Sequence, residues 1–193
     1  MKKIKVTALL MLITVLVGLV LVSCSSPYSE EYLLEVFKEK YARSYVLNEY
    51  IWGDGIPASE HSTENITTDS YYVTVSNDSE FKSKAAFIEA LNSVYVSDFV
   101  SGEIDQLLFT GYGEDGPAPR YGEIDGFLSI NVLDKGNENV GIGKFLPETA
   151  RVKKATGSTV IFTVTYESNG KTKDYDLMMR LDGEEWKFEA PTY

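Results

Sequence analysis

The chain of 193 residues has one cysteine, Cys24, and one histidine, His61. A single thiol cannot form an intramolecular disulfide, and neither a thiolate nor a histidine-rich zinc site can be assembled. A Ser-His-Asp triad would have to use His61, which lies in a polar stretch, 59–64, typical of a solvated loop. Glycine-rich phosphate loops and nucleophile elbows are also missing from the sequence. We therefore expect a protein that is not an enzyme, with no catalytic residue, metal or cofactor.

Basic residues are scarce, with 18 Lys and Arg against 29 Asp and Glu and a formal net charge of −11. Three of the lysines stand in the first five residues, so the chain beyond residue 23 has 15 basic and 29 acidic residues and a charge of −14. Such a surface disfavours nucleic acid and attracts a cationic partner. The alternative is that the acidity only keeps an exported protein soluble.

The N-terminus has the parts of a secretory signal: a basic head, an apolar run from Val6 to Val22, and a small residue before Cys24. Its Leu21-Val22-Ser23-Cys24 ending resembles a bacterial lipobox, which implies cleavage before Cys24, diacylglycerol on its sulfur and acylation of the new amine. We expect a signal peptide at 1–23, a lipidated tether at 24–28 and one domain at 29–193, on the extracytoplasmic face of the cell membrane. The alternative is an uncleaved transmembrane anchor, because the apolar run is only slightly shorter than the roughly 18 apolar residues that mark a membrane span.

The rest of the chain predicts an α+β fold, since helical periodicity comes first and alternation follows. A helix is expected from Ser29 to Tyr50, and its aromatic and aliphatic stripe comprises Leu34, Phe37, Tyr41, Tyr45 and Trp52. The polar segment 58–69 is expected to be a long loop, and Ser83 and Ser97 are expected to cap two further helices.

Tight-turn signals divide the C-terminal part into strands: Asp125-Gly126, Asn169-Gly170 and Asp182-Gly183. Alternation on the strands predicts that Val160, Phe162, Val164, Trp186 and Phe188 share one buried face. We expect N-terminal helices packed on one curved antiparallel sheet of five or six strands, as a half-open cone.

The strongest candidate for a partner-binding site is an acidic run between residues 98 and 125. It has seven acids against Arg120: Asp98, Glu103, Asp105, Glu114, Asp115, Glu123 and Asp125. Glu114 and Asp115 lie in a Gly- and Pro-rich loop, 111–119, that can present them to a basic cleft, and Glu123 and Asp125 flank a hairpin turn. The alternative is a solvated turn in which Asp and Gly are simply good turn formers.

Two weaker sites remain open. Asp134, Asn137 and Asn139 are oxygen ligands close in sequence, but they lack the EF-hand spacing for calcium. A carboxylate pair for glycoside hydrolysis is a further alternative in so acidic a chain, although Glu123 and Asp125 flank a tight turn.

Three groups of residues resemble the IseA-type inhibitors of cell-wall DL-endopeptidases, over roughly residues 70–193: Ser83, Phe87 and Leu91; Tyr121 with 125–131; and Asp182, Gly183, Trp186, Lys187 and 191–193. The resemblance implies a non-catalytic α+β protein of cystatin- or NTF2-like shape that blocks NlpC/P60-type peptidases. The alternative function is an NTF2-like module that holds a small ligand or glycan in its concave sheet face, with Tyr41, Tyr45 and Trp52 at the mouth.

Overall fold

The computed structural model describes residues 26–59, 71–113, 116–134, 136 and 143–192. The predicted signal peptide, the lipidation residue Cys24, His61, the loop residues Glu114 and Asp115, and the amides Asn137 and Asn139 lie outside the described residues.

Helices and strands segregate along the described chain. The helices are α1 Glu30–Ile51, α2 Lys84–Asn92 and the short α3 Ser97–Phe99, which continues as two π-helical segments, Val100–Ile104 and Gln106–Thr110. The strands are β1 Tyr72–Thr74, β2 Tyr121–Ile124, β3 Phe127–Asn131, β4 Gly143–Ala155, β5 Thr159–Ser168, β6 Lys171–Asp182 and β7 Glu185–Phe188. In the described part of the chain, no helix is long and apolar enough to cross a membrane.

Helix α1 begins where the sequence predicts, because the Ser29 hydroxyl accepts a hydrogen bond from the Tyr32 amide at 3.2 Å. Its predicted stripe is only partly correct: Phe37 and Tyr41 are buried, but Tyr45 is 41% exposed. The buried face includes instead Leu33, Ser44, Leu47, Asn48 and Ile51. The buried positions recur every three to four residues, from Phe37 through Tyr41 and Ser44 to Asn48. Tyr45 is next to Ser44 and lies at the edge of this face.

The other two helices begin differently. Ser83 caps α2 as predicted, accepting from the Ala86 amide at 3.3 Å. The prediction that Ser97 caps the third helix is wrong, because the N-cap is Val96, which makes no side-chain bond. The Ser97 amide donates to the Asp182 carboxylate at 2.9 Å, and this bond is the main reason that the pKa of Asp182 is lowered. A carboxylate at the end of β6 thus takes the place of a local cap.

The strands form two antiparallel sheets among the described residues, ordered β1-β3-β2 and β4-β5-β6-β7, rather than the single meander expected from sequence. Strand β3 pairs with β2 through a tight turn in which Asp125 and Gly126 have φ of 52° and 81°. Its other edge pairs with β1. Both edges of β3 are therefore occupied, and β4 starts a second sheet.

Helices packed with two antiparallel sheets confirm the α+β class. One core cluster extends from α1 and the four-stranded sheet to α2 and the three-stranded sheet, where Phe87 packs on Tyr121. The predicted face is buried as a unit: Val160, Phe162, Val164, Trp186 and Phe188 are each at most 2% exposed. Phe37 of α1 packs on it, with ring centroids 4.6 Å from Phe162 and 5.7 Å from Phe188. Register shifts after Leu146 and after Val152 interrupt the β4–β5 ladder, and such bulges bend a strand.

Candidate functional site

The acidic run begins on the helical segment 97–110, most of which is π-helical. Its end has the wide π spacing, because the Gly111 amide donates to the Gln106 carbonyl at 2.8 Å, five residues back. Gly111 has φ of 75°, which turns the chain out of the helix. Short π-helical segments occur frequently at functional sites, and no sequence pattern indicated one here.

Two acids of the run are paired with bases. Asp98 lies 2.7 Å from the Arg180 guanidinium, whose hydrogen bond lowers the pKa of Asp98. Asp105 lies 3.2 Å from the Lys84 ammonium and also accepts a 2.7 Å bond from the Thr110 hydroxyl. Both pairs are partly exposed, so they reduce the local negative field more than they stabilise the fold.

Glu103 differs from its neighbours, since its side chain is exposed and makes no ion pair or hydrogen bond among the described residues. It lines two cavities. One, of about 500 Å³, also contains Asp98 and Arg180. The other, of about 440 Å³, also contains Trp52 and Tyr112. The unpaired Glu103 carboxylate thus borders both a cavity lined by charged side chains and a cavity lined by aromatic side chains.

Contacts with the rest of the fold hold both ends of the loop 111–119 in place. A Cβ added to Gly111 would lie 3.1 Å from the Pro119 ring, so the two ends of the loop are in close contact. The Tyr72 hydroxyl donates to the Pro119 carbonyl at 2.5 Å. Tyr112, just inside the loop, is 52% exposed. The predicted contact residues Glu114 and Asp115, which are between these two ends in sequence, lie outside the described residues.

The other two predicted contact residues lie on the β2–β3 hairpin. Asp125 is exposed, in the turn, without a partner among the described residues. Glu123 accepts a 3.4 Å hydrogen bond from the Lys84 amide, so Lys84 brings Glu123 close to Asp105. Phe127, just after the turn, is 58% exposed. Asp125 and Pro119 lie beyond opposite ends of β2, at most roughly 20 Å apart at about 3.3 Å per residue, so the hairpin turn and the loop base are separate.

Arg120, the one basic residue between residues 98 and 125, is buried and adds no exposed positive charge to the acidic run. It is 3% exposed, donates to the Gly53 carbonyl and lies 3.5 Å from the Asp134 carboxylate. Asp134 also accepts a hydrogen bond from the Gly136 amide at 2.7 Å. Asp134 is the one described residue of the three suggested calcium ligands, and its carboxylate already contacts this turn amide and Arg120. Within the described ranges, no group of three or more His, Cys, Asp or Glu side chains could hold a metal ion.

The three aromatic side chains expected at the mouth of the cone are not together. Tyr41 and Tyr45 line one cleft between α1 and β4, and Trp52 lines the cavity that contains Glu103. The Tyr41 hydroxyl accepts a 3.0 Å bond from the Phe145 amide. Burial nevertheless raises the pKa of Tyr41 to about 12, because the desolvation of a phenolate outweighs one hydrogen bond.

No protein-family model matches the chain, and no curated protein matches it in sequence.

Proposed function

We propose that this chain is a membrane-tethered, extracytoplasmic protein that binds and inhibits a cell-wall DL-endopeptidase of the NlpC/P60 type. The observation that carries the proposal is the cavity at the base of the acidic loop, where Glu103, Trp52 and Tyr112 converge. It joins an unpaired carboxylate to aromatic side chains, and aromatic residues are enriched in the cores of protein interfaces.

The charge of the chain favours a basic partner. Its formal charge of −11 becomes −14 if residues 1–23 are removed, and a field of this sign speeds the encounter with a cationic surface. Glu103 and the exposed Asp125 need not break an ion pair with a described residue before they meet a lysine or arginine. Tyr112 and Phe127 supply the apolar area that holds the complex after the encounter.

The base of the loop 111–119 favours steric blocking of a cleft. Contact between Gly111 and Pro119 and the bond from Tyr72 hold the two ends of the loop near each other. A loop whose ends are fixed loses less conformational entropy on binding than one with free ends. In the proposed mechanism, Glu114 and Asp115 enter the substrate path of the peptidase and exclude the stem peptide without covalent chemistry.

We further propose that α1 and the four-stranded sheet form the cystatin- or NTF2-like half-open cone. The packing of Phe37 on Phe162 and Phe188 and the bulges in β4 support this shape. The middle of the inner sheet face is filled by α1, since Val160, Phe162 and Val164 are each 0% exposed. A ligand held in that middle part, the alternative function, is therefore less well supported than binding through the outer surface.

A residual-activity assay tests the inhibitor proposal. The full-length chain in non-ionic detergent is titrated into a purified NlpC/P60 endopeptidase while the release of stem-peptide fragments is followed. We expect Glu114→Lys with Asp115→Lys to raise the inhibition constant about tenfold or more, equivalent to about 1.4 kcal/mol or more. The matched control is Glu35→Lys with Glu39→Lys, an equal charge change on exposed positions of α1, which should have a smaller effect.

The two double variants separate specific contact from general charge. Equal weakening by both would reduce the role of the loop to long-range attraction. An unchanged inhibition constant for the loop variant would place the inhibitory surface elsewhere. Failure of the unmodified chain to inhibit NlpC/P60 endopeptidases would overturn the proposal.

A further inference from the structure

A second surface, at the β4 edge of the four-stranded sheet, combines exposed tyrosines with lysines. We name it the tyrosine cleft: a cavity of about 440 Å³ between α1 and the start of β4. Its lining side chains that matter here are Lys38, Tyr41, Tyr45, Lys144, Phe145 and Glu148. Tyr41 and Phe145 are buried at its base, and Tyr45 stands at its rim, 41% exposed. The cleft shares no residue with the acidic run.

The aromatic surface continues from the cleft across the sheet. Phe145 meets Tyr166 edge to face at 5.0 Å, and Tyr166 meets Tyr175 in the same way at 5.8 Å. Tyr166 and Tyr175 are on the same face of the sheet as the buried Val164, because Tyr166 follows Val164 by two residues and Tyr175 pairs with it. Tyr175 is nevertheless 41% exposed. The inner sheet face is therefore filled in its middle and open at this end, where it consists of aromatic rings.

The charge of this surface is opposite to that of the whole chain. Two of the lining residues are lysines, Lys38 and Lys144, against the single lining acid Glu148, and Lys144 stands opposite Glu167 of β5. A third lysine, Lys173, holds its ammonium 4.6 Å from the centre of the Tyr175 ring. On the other face of the same strands, bases and acids cancel, as in the pair of Arg151 with Asp174. The excess of lysines over acids beside exposed aromatic rings is thus a local feature in a chain of net charge −11.

Rings and lysines together define the chemistry of a ligand. A pyranose ring presents C–H groups on its faces, which pack on an aromatic ring, and hydroxyls at its edges, which bond to phenol and ammonium groups. Tyrosine supplies both an apolar face and a polar tip, and an ammonium attracts a carboxylate or phosphate on the sugar. A purely apolar ligand would leave the lysines without a role, and a purely ionic one would leave the rings without one.

We propose that the tyrosine cleft, with its continuation to Tyr175, binds an acidic glycan, a chain of sugar rings that carries anionic groups. One sugar stacks at Tyr45 above the cleft, and another packs toward Tyr166 and Tyr175. Lys38, Lys144 and Lys173 pair with the anionic groups. This activity does not depend on the proposed inhibition of a peptidase, since the two surfaces are built from different residues.

The test is calorimetric titration of the full-length chain, in non-ionic detergent, with three probes. The first is peptide-free peptidoglycan glycan strands, in which every second sugar carries a carboxylate. The second is the same strands with those carboxylates converted to methylamides, and the third is hexaglutamate, which has charge without rings. We expect the first probe to bind, the second to bind about tenfold more weakly, and the third to show no heat of binding.

Matched variants locate the site. Tyr45→Ala with Tyr175→Ala should weaken binding of the acidic strands about tenfold or more, and Phe at both positions should restore most of it because the rings return. Tyr32→Ala, which removes a 43% exposed tyrosine from the same helix outside the cleft, should have no effect. Lys38→Gln with Lys144→Gln should bring the affinities for acidic and amidated strands close together, whereas Lys154→Gln should not.

Three results would overturn the proposal. They are no binding of the acidic strands, equal binding of hexaglutamate, and equal loss of affinity in the Tyr32 variant. A thermal unfolding midpoint for each variant confirms that it is folded, and the Phe double variant gives an answer even if the Ala double variant unfolds.

Discussion

Replacement of Trp186 by alanine should be among the most destabilising single changes in this chain. Trp186 is 2% exposed on β7, and the ring of Tyr28 packs edge-on against it at 5.4 Å. Truncation of a buried tryptophan removes its transfer free energy and leaves a cavity, which together cost about 3–5 kcal/mol. For a chain of this size, each kcal/mol lowers the unfolding midpoint by about 2–4 °C.

The indole N–H refines this expectation. Trp186 Nε1 is buried and has no hydrogen-bond partner among the described residues. A buried donor without an acceptor is itself unfavourable, by about 1–3 kcal/mol. Trp186→Phe removes that donor and keeps a large ring, so it should cost much less than Trp186→Ala.

Thermal unfolding followed by near-ultraviolet circular dichroism, with the chain in non-ionic detergent, measures both variants. Phe127→Ala is the control, because Phe127 is 58% exposed and its loss should stay within about 0.5 kcal/mol. A change of that small size for Trp186→Ala would show that β7 is not part of the core. An equal cost for Trp186→Phe and Trp186→Ala would refute the argument from the unpartnered N–H.

Three further predictions concern the C-terminus, the pH dependence and the anchor. Thr192→Val should cost about 1–3 kcal/mol in chemical denaturation, because the Thr192 hydroxyl accepts from Asn48 at 3.1 Å and donates to Ser44 at 2.7 Å, all three being buried; a neutral effect would contradict this. The pKa of Tyr41 is raised to about 12, so the folded state holds this proton more tightly than the unfolded state; its contribution to stability is complete below pH 10 and is lost as the pH rises from 10 to about 12. Unfolding midpoints measured across that range should therefore fall less steeply in Tyr41→Phe, and identical slopes would refute the argument. Mass spectrometry should find acylated Cys24 at the mature N-terminus and none in Cys24→Ala, whereas an intact Met1 terminus would contradict cleavage.

Local rules predicted the parts of the fold that depend on neighbouring residues. The Asn169-Gly170 turn has φ of 51° and 69°, as a two-residue hairpin turn requires, and Ser83 caps its helix with its own hydroxyl. Alternation was sufficient to place Phe162 and Trp186 on one buried face, because side chains of a strand alternate between faces.

Contacts between distant residues account for what sequence patterns missed. The amide of Ser97 is satisfied by Asp182, 85 residues away, so a helix start that looked self-capped is not. Strand β1 pairs with β3 across the two intervening helices, which divides the strands into two sheets. At the acidic run, counting charges could not show that Arg180 and Lys84 neutralise Asp98 and Asp105 and leave Glu103 unpaired.

The most direct test of the central claim is the inhibition constant of the unmodified full-length chain against a purified NlpC/P60 endopeptidase, measured at low and at physiological salt. The account predicts inhibition at both concentrations, and a larger inhibition constant at the higher one, because salt screens exposed charges over about 8 Å at physiological ionic strength. An inhibition constant that does not change with salt would contradict the electrostatic part of the account. Undiminished peptide cleavage at saturating protein would contradict the account as a whole.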